Sequence, residues 1–162
     1  MGARRPDGSP SSLSNYGSRV DASGWGESVW APNVYCDSPS NPTCHNYPTA
    51  TFPEYQIYTS SFGGTSAAAP IVAGAIIALQ GLQKARGGLP FSPEIACELV
   101  RNIGSAQLPG KNIGKLPDIR AMHLWMIADA DGDGVSNIDE MIMGRNPYFD
   151  ERKLIPILLS DD

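Results

Sequence analysis

One stretch of this chain departs from the rest in its pattern of apolar and polar positions. Across residues 67–79, Ala-Ala-Ala-Pro-Ile-Val-Ala-Gly-Ala-Ile-Ile-Ala-Leu, every position is apolar or small, with Ala73 and Gly74 as small-residue positions. A helix that is apolar all round belongs in the interior of a protein. The Thr65-Ser66 pair at its head reads as a helix start, and Gly63-Gly64 before it as a hinge where the backbone turns sharply. The helix is predicted from about Thr65 to Lys84 or Ala85, stopping at Gly87-Gly88. Pro70 is expected in its first turns, where a missing N–H costs least.

The downstream pattern predicts two further helices. Ser92-Pro93-Glu94 opens the first, with Ser92 as cap and Pro93 at the first position. Ile95, Leu99 and Ile103 follow at helical spacing, and Gly104 closes it. Residues 107–116 read as loop. Pro117-Asp118 opens the next helix, with Ile119, Met122, Met126 and Ile127 on one side. Upstream, residues 1–18 are rich in Ser, Pro, Gly and Asn and read as loop and turn. Ser14-Asn15-Tyr16-Gly17-Ser18 is expected to turn into a short strand at Arg19-Val20-Asp21-Ala22. Between residues 30 and 58 five prolines interrupt any period, and Tyr55-Gln56-Ile57-Tyr58-Thr59 is a candidate strand. The apolar tail at 154–159 is broken by Pro156.

Composition narrows the classes. With 162 residues, 41% hydrophobic and 18% charged, the chain is ordinary for a globular protein, long enough for one domain with a real core or for a domain plus a small appendage. A formal charge of −5 argues against a nucleic-acid partner. The longest apolar run is short and rich in Gly and Ala, so no membrane span is expected. Pro6-Asp7-Gly8-Ser9-Pro10 stands where a signal peptide needs an apolar segment. Cys36 and Cys44 bracket a short loop and are a disulfide candidate, which implies an oxidising compartment. Cys97 is left over as a small apolar residue on a helix.

Ser66 is the first candidate for chemistry. A serine at a helix N-terminus lies beside free backbone N–H groups and a partial positive charge. Both stabilise the oxyanion that forms when a hydroxyl attacks a carbonyl. The plain alternative is a turn and a cap. Gly64-Thr65-Ser66-Ala67-Ala68-Ala69-Pro70, followed by Val72-Ala73-Gly74, resembles the nucleophile motif of the subtilisin-like serine peptidases, Gly-Thr-Ser-x-Ala-x-Pro with x-Val-Ala-Gly after it. The sedolisin peptidases share a related motif and stand as a close alternative. The resemblance implies that Ser66 is the nucleophile, that its own N–H is one oxyanion donor, and that Gly64 and Thr65 form the nucleophile turn. It reaches upstream through Ser14-Asn15-Tyr16-Gly17, Val20-Asp21-Ala22 and Trp25-Gly26-Glu27, where the family's Ala-Pro-Gly loop is replaced. Gly2-Ala3 resembles the small pair that ends the preceding strand. In all it covers about residues 1–127. It implies an α/β fold, the C-terminal portion of a parallel-sheet domain.

A serine nucleophile needs a base and a group to orient it. The chain has two histidines. His45 lies in the Pro-rich segment and His123 on the third helix, and neither is expected to serve. In subtilisin the chain order is Asp, His, Ser. The expectation is therefore a segment upstream of Met1 that carries Asp and His, a polypeptide substrate, and little or no hydrolysis by these 162 residues alone.

A second signal lies at residues 129–140, Asp-Ala-Asp-Gly-Asp-Gly-Val-Ser-Asn-Ile-Asp-Glu. The spacing matches an EF-hand loop. Asp129, Asp131 and Asp133 hold the first, third and fifth places, Gly134 the sharp turn, Val135 the backbone carbonyl, Asn137 the ninth place and Glu140 the bidentate last place. Hard oxygen ligands in this number predict calcium. Ser136 departs from the apolar residue of paired EF-hands. With Gly144-Arg145-Asn146-Pro147 after it, the loop resembles the single calcium loops of dockerin and thrombospondin type 3 repeats, which implies an extracellular or periplasmic protein. The expected organisation is a partial peptidase domain at 1–127, a calcium loop at 128–150 with its helices, and a tail at 151–162. Two rivals to a serine endopeptidase are a calcium-dependent binding or anchoring module with a catalytically dead peptidase-like part, and a purely structural calcium-stabilised domain.

Overall fold

A computed structural model describes residues 1–32, 35–36, 44–45 and 58–154, with the backbone alone at 35–36, 44–45, 61 and 154. Among these residues the chain is mixed α/β, with three two-stranded sheets and four helices. It divides into two compact units, Met1–Val72 with Gln107–Gly114, and Ala73–Ala106 with the chain from Lys115 onward. The acidic loop lies in the second unit, tied by hydrogen bonds to the helix before it.

In the first unit, β1 (Gly2–Arg4) pairs in parallel with β2 (Ser23–Trp25), Ala3 opposite Gly24. The second strand thus begins just past the predicted one at 19–22. Gly24 explains the shift. A side chain there would collide with the Ala68 carbonyl oxygen, so only glycine lets this strand lie against the first turn of the long helix. The Ser23 hydroxyl donates to the Gly114 carbonyl at 2.9 Å, and the Ala3 N–H donates to Ser14 Oγ at 2.8 Å. Ala3, Ala22, Ala67, Ala68, Val72 and Ile113 form the buried apolar set of this unit. β3 (Val29–Pro32) runs antiparallel to β6 (Tyr58–Phe62), with a register shift between Val29 and Ala31. Of the candidate strand at 55–59, Tyr58 and Thr59 lie in β6, and residues 55–57 lie outside the described residues. β4 (Tyr35–Cys36) pairs with β5 (Cys44–His45).

α1 spans Thr65–Ala85, as the apolar run predicts. Pro70 is its sixth residue, beyond the first turn, so the Ser66 carbonyl lacks the N–H that a non-proline residue would offer it. The helix is not covered on every side. Ala75, Leu79 and Gln83 are buried, whereas Ala73, Gly74, Ile77, Ala78, Gly81 and Leu82 are exposed, Ile77 by 70%. By length and composition alone α1 is also long and apolar enough to cross a membrane, which the shorter run in the sequence did not suggest. Two glutamines near its end are committed to protein partners. Gln80 Nε2 donates to the Phe91 carbonyl at 2.8 Å, and Gln83 is fully buried.

α2 (Pro93–Asn102) starts as predicted, with Ser92 Oγ accepting from the Ile95 N–H and Pro93 at the first position. α3 (Ile119–Ile127) is capped by Asp118, which accepts from the Ala121 N–H at 2.9 Å. Met122 and Met126 are buried, but Ile119 and Ile127 are exposed, so the apolar stripe is narrower than expected. α4 (Asn137–Met143) follows the acidic loop, and a 3-10 turn spans Glu151–Leu154. The buried apolar residues of this second unit are Ala75, Leu79, Phe91, Leu99, Val100, Met122, Met126 and Ile138.

Candidate functional site

Ser66 stands exposed on the first turn of α1, while the next two residues, Ala67 and Ala68, are buried. The turn that presents it is fixed by backbone. Gly64 has φ +73°, the left-handed region that glycine enters without strain, and its N–H donates to the Gly26 carbonyl at 2.7 Å. The Ala67 and Ala68 N–H groups turn back to the Gly64 carbonyl at 3.2 and 3.3 Å. The N–H groups of Thr65 and Ser66 have no partner within the helix, as at any helix start. A hydroxyl here sits where backbone donors and the helix dipole favour negative charge.

His45 is described by its backbone alone. His123 lies half-buried on α3, with Nδ1 buried and without a hydrogen-bond partner. Cys36 and Cys44 face each other as Cα partners in the β4–β5 pair. Their sulfur atoms lie outside the described residues. Cys97 is a free, half-buried thiol on α2.

The acidic loop is a built site. One carboxylate oxygen from each of Asp129, Asp131 and Asp133 comes within 4.8 Å of the others. The loop arranges them by hydrogen bonds to its own backbone. Asp129 Oδ2 accepts from the Gly134 N–H at 2.8 Å, and its Oδ1 from Gly132 at 2.7 Å and Asp133 at 3.1 Å. Asp131 Oδ1 accepts from the Asp133 N–H at 3.1 Å, and Asp133 Oδ1 from the Val135 N–H at 2.7 Å. Gly134 holds φ +89°, the turn for which the sequence reserved it. Glu140 closes the loop from α4. It is 1% exposed, and its Oε2 has no hydrogen-bond partner; nor does Asp131 Oδ2. Unpaired buried carboxylate oxygens are costly unless a cation meets them.

Charge tells the same story. Burial, and then the charges of Asp131, Asp133 and Asp129, push the Glu140 carboxyl above its ordinary range. The Gly134 N–H first, then those of Gly132 and Asp133, outweigh desolvation and hold Asp129 below its range. The same loop thus favours the ionised form of Asp129 and disfavours that of Glu140. A hard divalent cation with oxygen ligands fits this set.

Two residues have roles that the spacing did not reveal. Asn137 is 1% exposed and braces the loop: its Nδ2 donates to the Trp125 carbonyl at 2.9 Å, its Oδ1 accepts from the Ala130 N–H at 2.9 Å, and its N–H donates to the Ala128 carbonyl at 2.7 Å. One lone pair of Oδ1 remains for a ligand or its water. Ser136, the departure from paired EF-hands, is the N-cap of α4, accepting from the Asp139 N–H. The Ser-x-x-Asp spacing, 136 to 139, was the available signal. A separate cavity of about 640 Å³ in the second unit is lined in part by Leu99, Ile103, Trp125, Met141, Pro147 and Tyr148. Trp125 Nε1 donates to the Tyr148 hydroxyl at 3.0 Å.

No protein-family model matches this chain, and no curated protein matches it.

Proposed function

We propose that this chain carries the nucleophile of a subtilisin-like serine endopeptidase, Ser66, together with a calcium-binding loop that stabilises the second unit. The observation that carries the first half is the presentation of Ser66, exposed on a glycine-shaped turn directly ahead of two buried alanines. The chemistry follows from that placement. Ser66 Oγ attacks the carbonyl carbon of a peptide as a base removes the hydroxyl proton. The tetrahedral oxyanion collapses, the C–N bond breaks, and the amine leaves with the proton. Water then hydrolyses the acyl-enzyme. In this reading the base and its orienting carboxylate come from a further segment bearing Asp and His. The exposed apolar face of α1 in the second unit, centred on Ile77, supports a further apolar layer against it.

The calcium half rests on Glu140 Oε2, a buried carboxylate oxygen without a partner. Asp129, Asp131, Asp133, the Val135 carbonyl, Asn137 and Glu140 are the residues that would hold the ion. The cation neutralises the loop when bound. Such loops suit a secreted protein, extracellular or periplasmic, where calcium is abundant. A fluorophosphonate probe tests the peptidase reading in the presence of the proposed segment bearing Asp and His. Labelling of wild type that is lost in Ser66→Ala is expected. No labelling, with calcium still bound, leaves the rival reading of a calcium-dependent binding module with an inert peptidase-like part.

A further inference from the structure

We propose that the cation loop acts as a clamp on the C-terminal end of α1, so that occupancy of the loop sets whether residues 82–88 are held or free. This rests on the calcium reading of the loop and adds to it a mechanical consequence within the second unit. The two carboxylates that open α4 are consecutive and have opposite duties. Glu140 is buried with an unpartnered oxygen, whereas Asp139 binds α1. Asp139 Oδ2 accepts from Arg86 Nη2 at 2.7 Å, and Asp139 Oδ1 accepts from Gln83 Nε2 at 3.1 Å. Arg86 Nη2 also donates to Ser136 Oγ at 2.9 Å, and Arg86 Nε donates to Gln83 Oε1 at 2.7 Å. The Ser136 hydroxyl closes the ring by donating to Asp139 Oδ2 at 2.5 Å.

Four side chains thus form one closed network between the last turn of α1 and the cap of α4. Gln83 is fully buried, and the Arg86–Asp139 pair is about one-third exposed on each side. A charge-assisted network of this kind needs both of its platforms fixed. α4 cannot fix itself, because a seven-residue helix is unstable alone. Asn137 ties the start of its first turn to the end of α3, and the rest of that turn leans on the loop, which holds unpaired acid oxygens until a cation joins Glu140 to Asp129, Asp131 and Asp133. A bound ion therefore seats Glu140, which seats its neighbour Asp139, which seats Arg86 and Gln83. Without the ion the repulsion inside the loop loosens α4, and the end of α1 loses its only charged anchor among the described residues. By thermodynamic reciprocity the network must in turn strengthen cation binding.

Hydrogen-exchange mass spectrometry on the whole chain, paired with calorimetry using CaCl2, tests this. In wild type, calcium is expected to slow amide exchange at residues 82–88 about tenfold or more relative to EGTA. Arg86→Ala lies outside the loop. It is expected to lose that protection and to weaken calcium binding by about five- to twentyfold, while Asp129→Ala abolishes binding. If wild type binds calcium but exchange at 82–88 is unchanged and Arg86→Ala binds as tightly as wild type, the clamp is wrong and the calcium site stands. If wild type binds no calcium, the site and the clamp fall together.

Discussion

Gly64 and Glu140 each carry a conformation or a charge that few other residues would tolerate. Gly64, at φ +73°, sets the direction of the chain just before Ser66. Gly64→Ala should cost about 1–2 kcal/mol in urea unfolding, because a Cβ is strained in the left-handed region. Ser66→Ala, by contrast, should leave stability within about 0.5 kcal/mol, since an exposed hydroxyl is removed. A large loss in that variant would mean the hydroxyl is structural. Glu140 works the other way round. Glu140→Gln should weaken calcium binding at least tenfold in calorimetry yet raise the melting temperature of the metal-free protein, because it removes a buried carboxylate with an unpartnered oxygen beside three aspartates. A variant that melts lower without metal would show that the carboxylate is already satisfied.

At the scale of elements, Asn137 ties α3 to the acidic loop through its side-chain amide as well as its backbone N–H. Asn137 satisfies the Trp125 carbonyl at the end of α3 and the Ala130 N–H inside the loop. Asn137→Ala strands both and should destabilise the chain by about 2–4 kcal/mol, read from denaturant midpoints. A loss under about 1 kcal/mol would mean that water replaces the amide readily. The helix starts were legible because caps are local. Ser92-Pro93 and Asp118 each place an oxygen three residues ahead of the N–H it accepts from, and that geometry needs no tertiary partner. The short strand was less legible. Its position at Ser23–Trp25 depends on Gly24 lying against the Ala68 carbonyl, a contact between residues far apart in sequence. The role of Asn137 was hidden for the same reason: position nine of a loop says ligand, and only the fold supplies the Trp125 carbonyl that makes it a brace.

For the whole molecule, the balance of charge sets a dependence on pH. The Glu140 carboxyl is pushed above its ordinary value of 4.5 by burial and by its acidic neighbours. A carboxyl that holds its proton more tightly in the folded than in the unfolded chain favours folding while protonated. That contribution falls as pH rises from the unfolded value through the raised one. In EGTA, the stability of wild type relative to Glu140→Gln should therefore decline with rising pH across this window. Excess calcium should reverse the decline. The paired comparison is needed because Asp129 and Asp150, held below their range chiefly by hydrogen bonds from the Gly134 N–H and from Arg152, contribute with the opposite sign. A relative stability that climbs with pH in EGTA would contradict the assignment of Glu140 as the strained ligand.

The sequence by itself determined the features whose causes are local. The extent of α1 comes from an unbroken apolar run ended by two glycines, the starts of α2 and α3 from caps, and the spacing of the acidic loop from its alternating aspartates and glycines. Tertiary structure decided which of those residues face inward. Periodicity marks a helix as apolar but cannot say which side is covered, so Ile77, Ile119 and Ile127 stand exposed where the pattern expected burial. It also decided that Ser66 is open to solvent, that Glu140 is sealed with an oxygen to spare, and that Arg86 finds Asp139. Those outcomes depend on which distant segments meet, and burial and pairing are properties of that meeting rather than of any one stretch of chain.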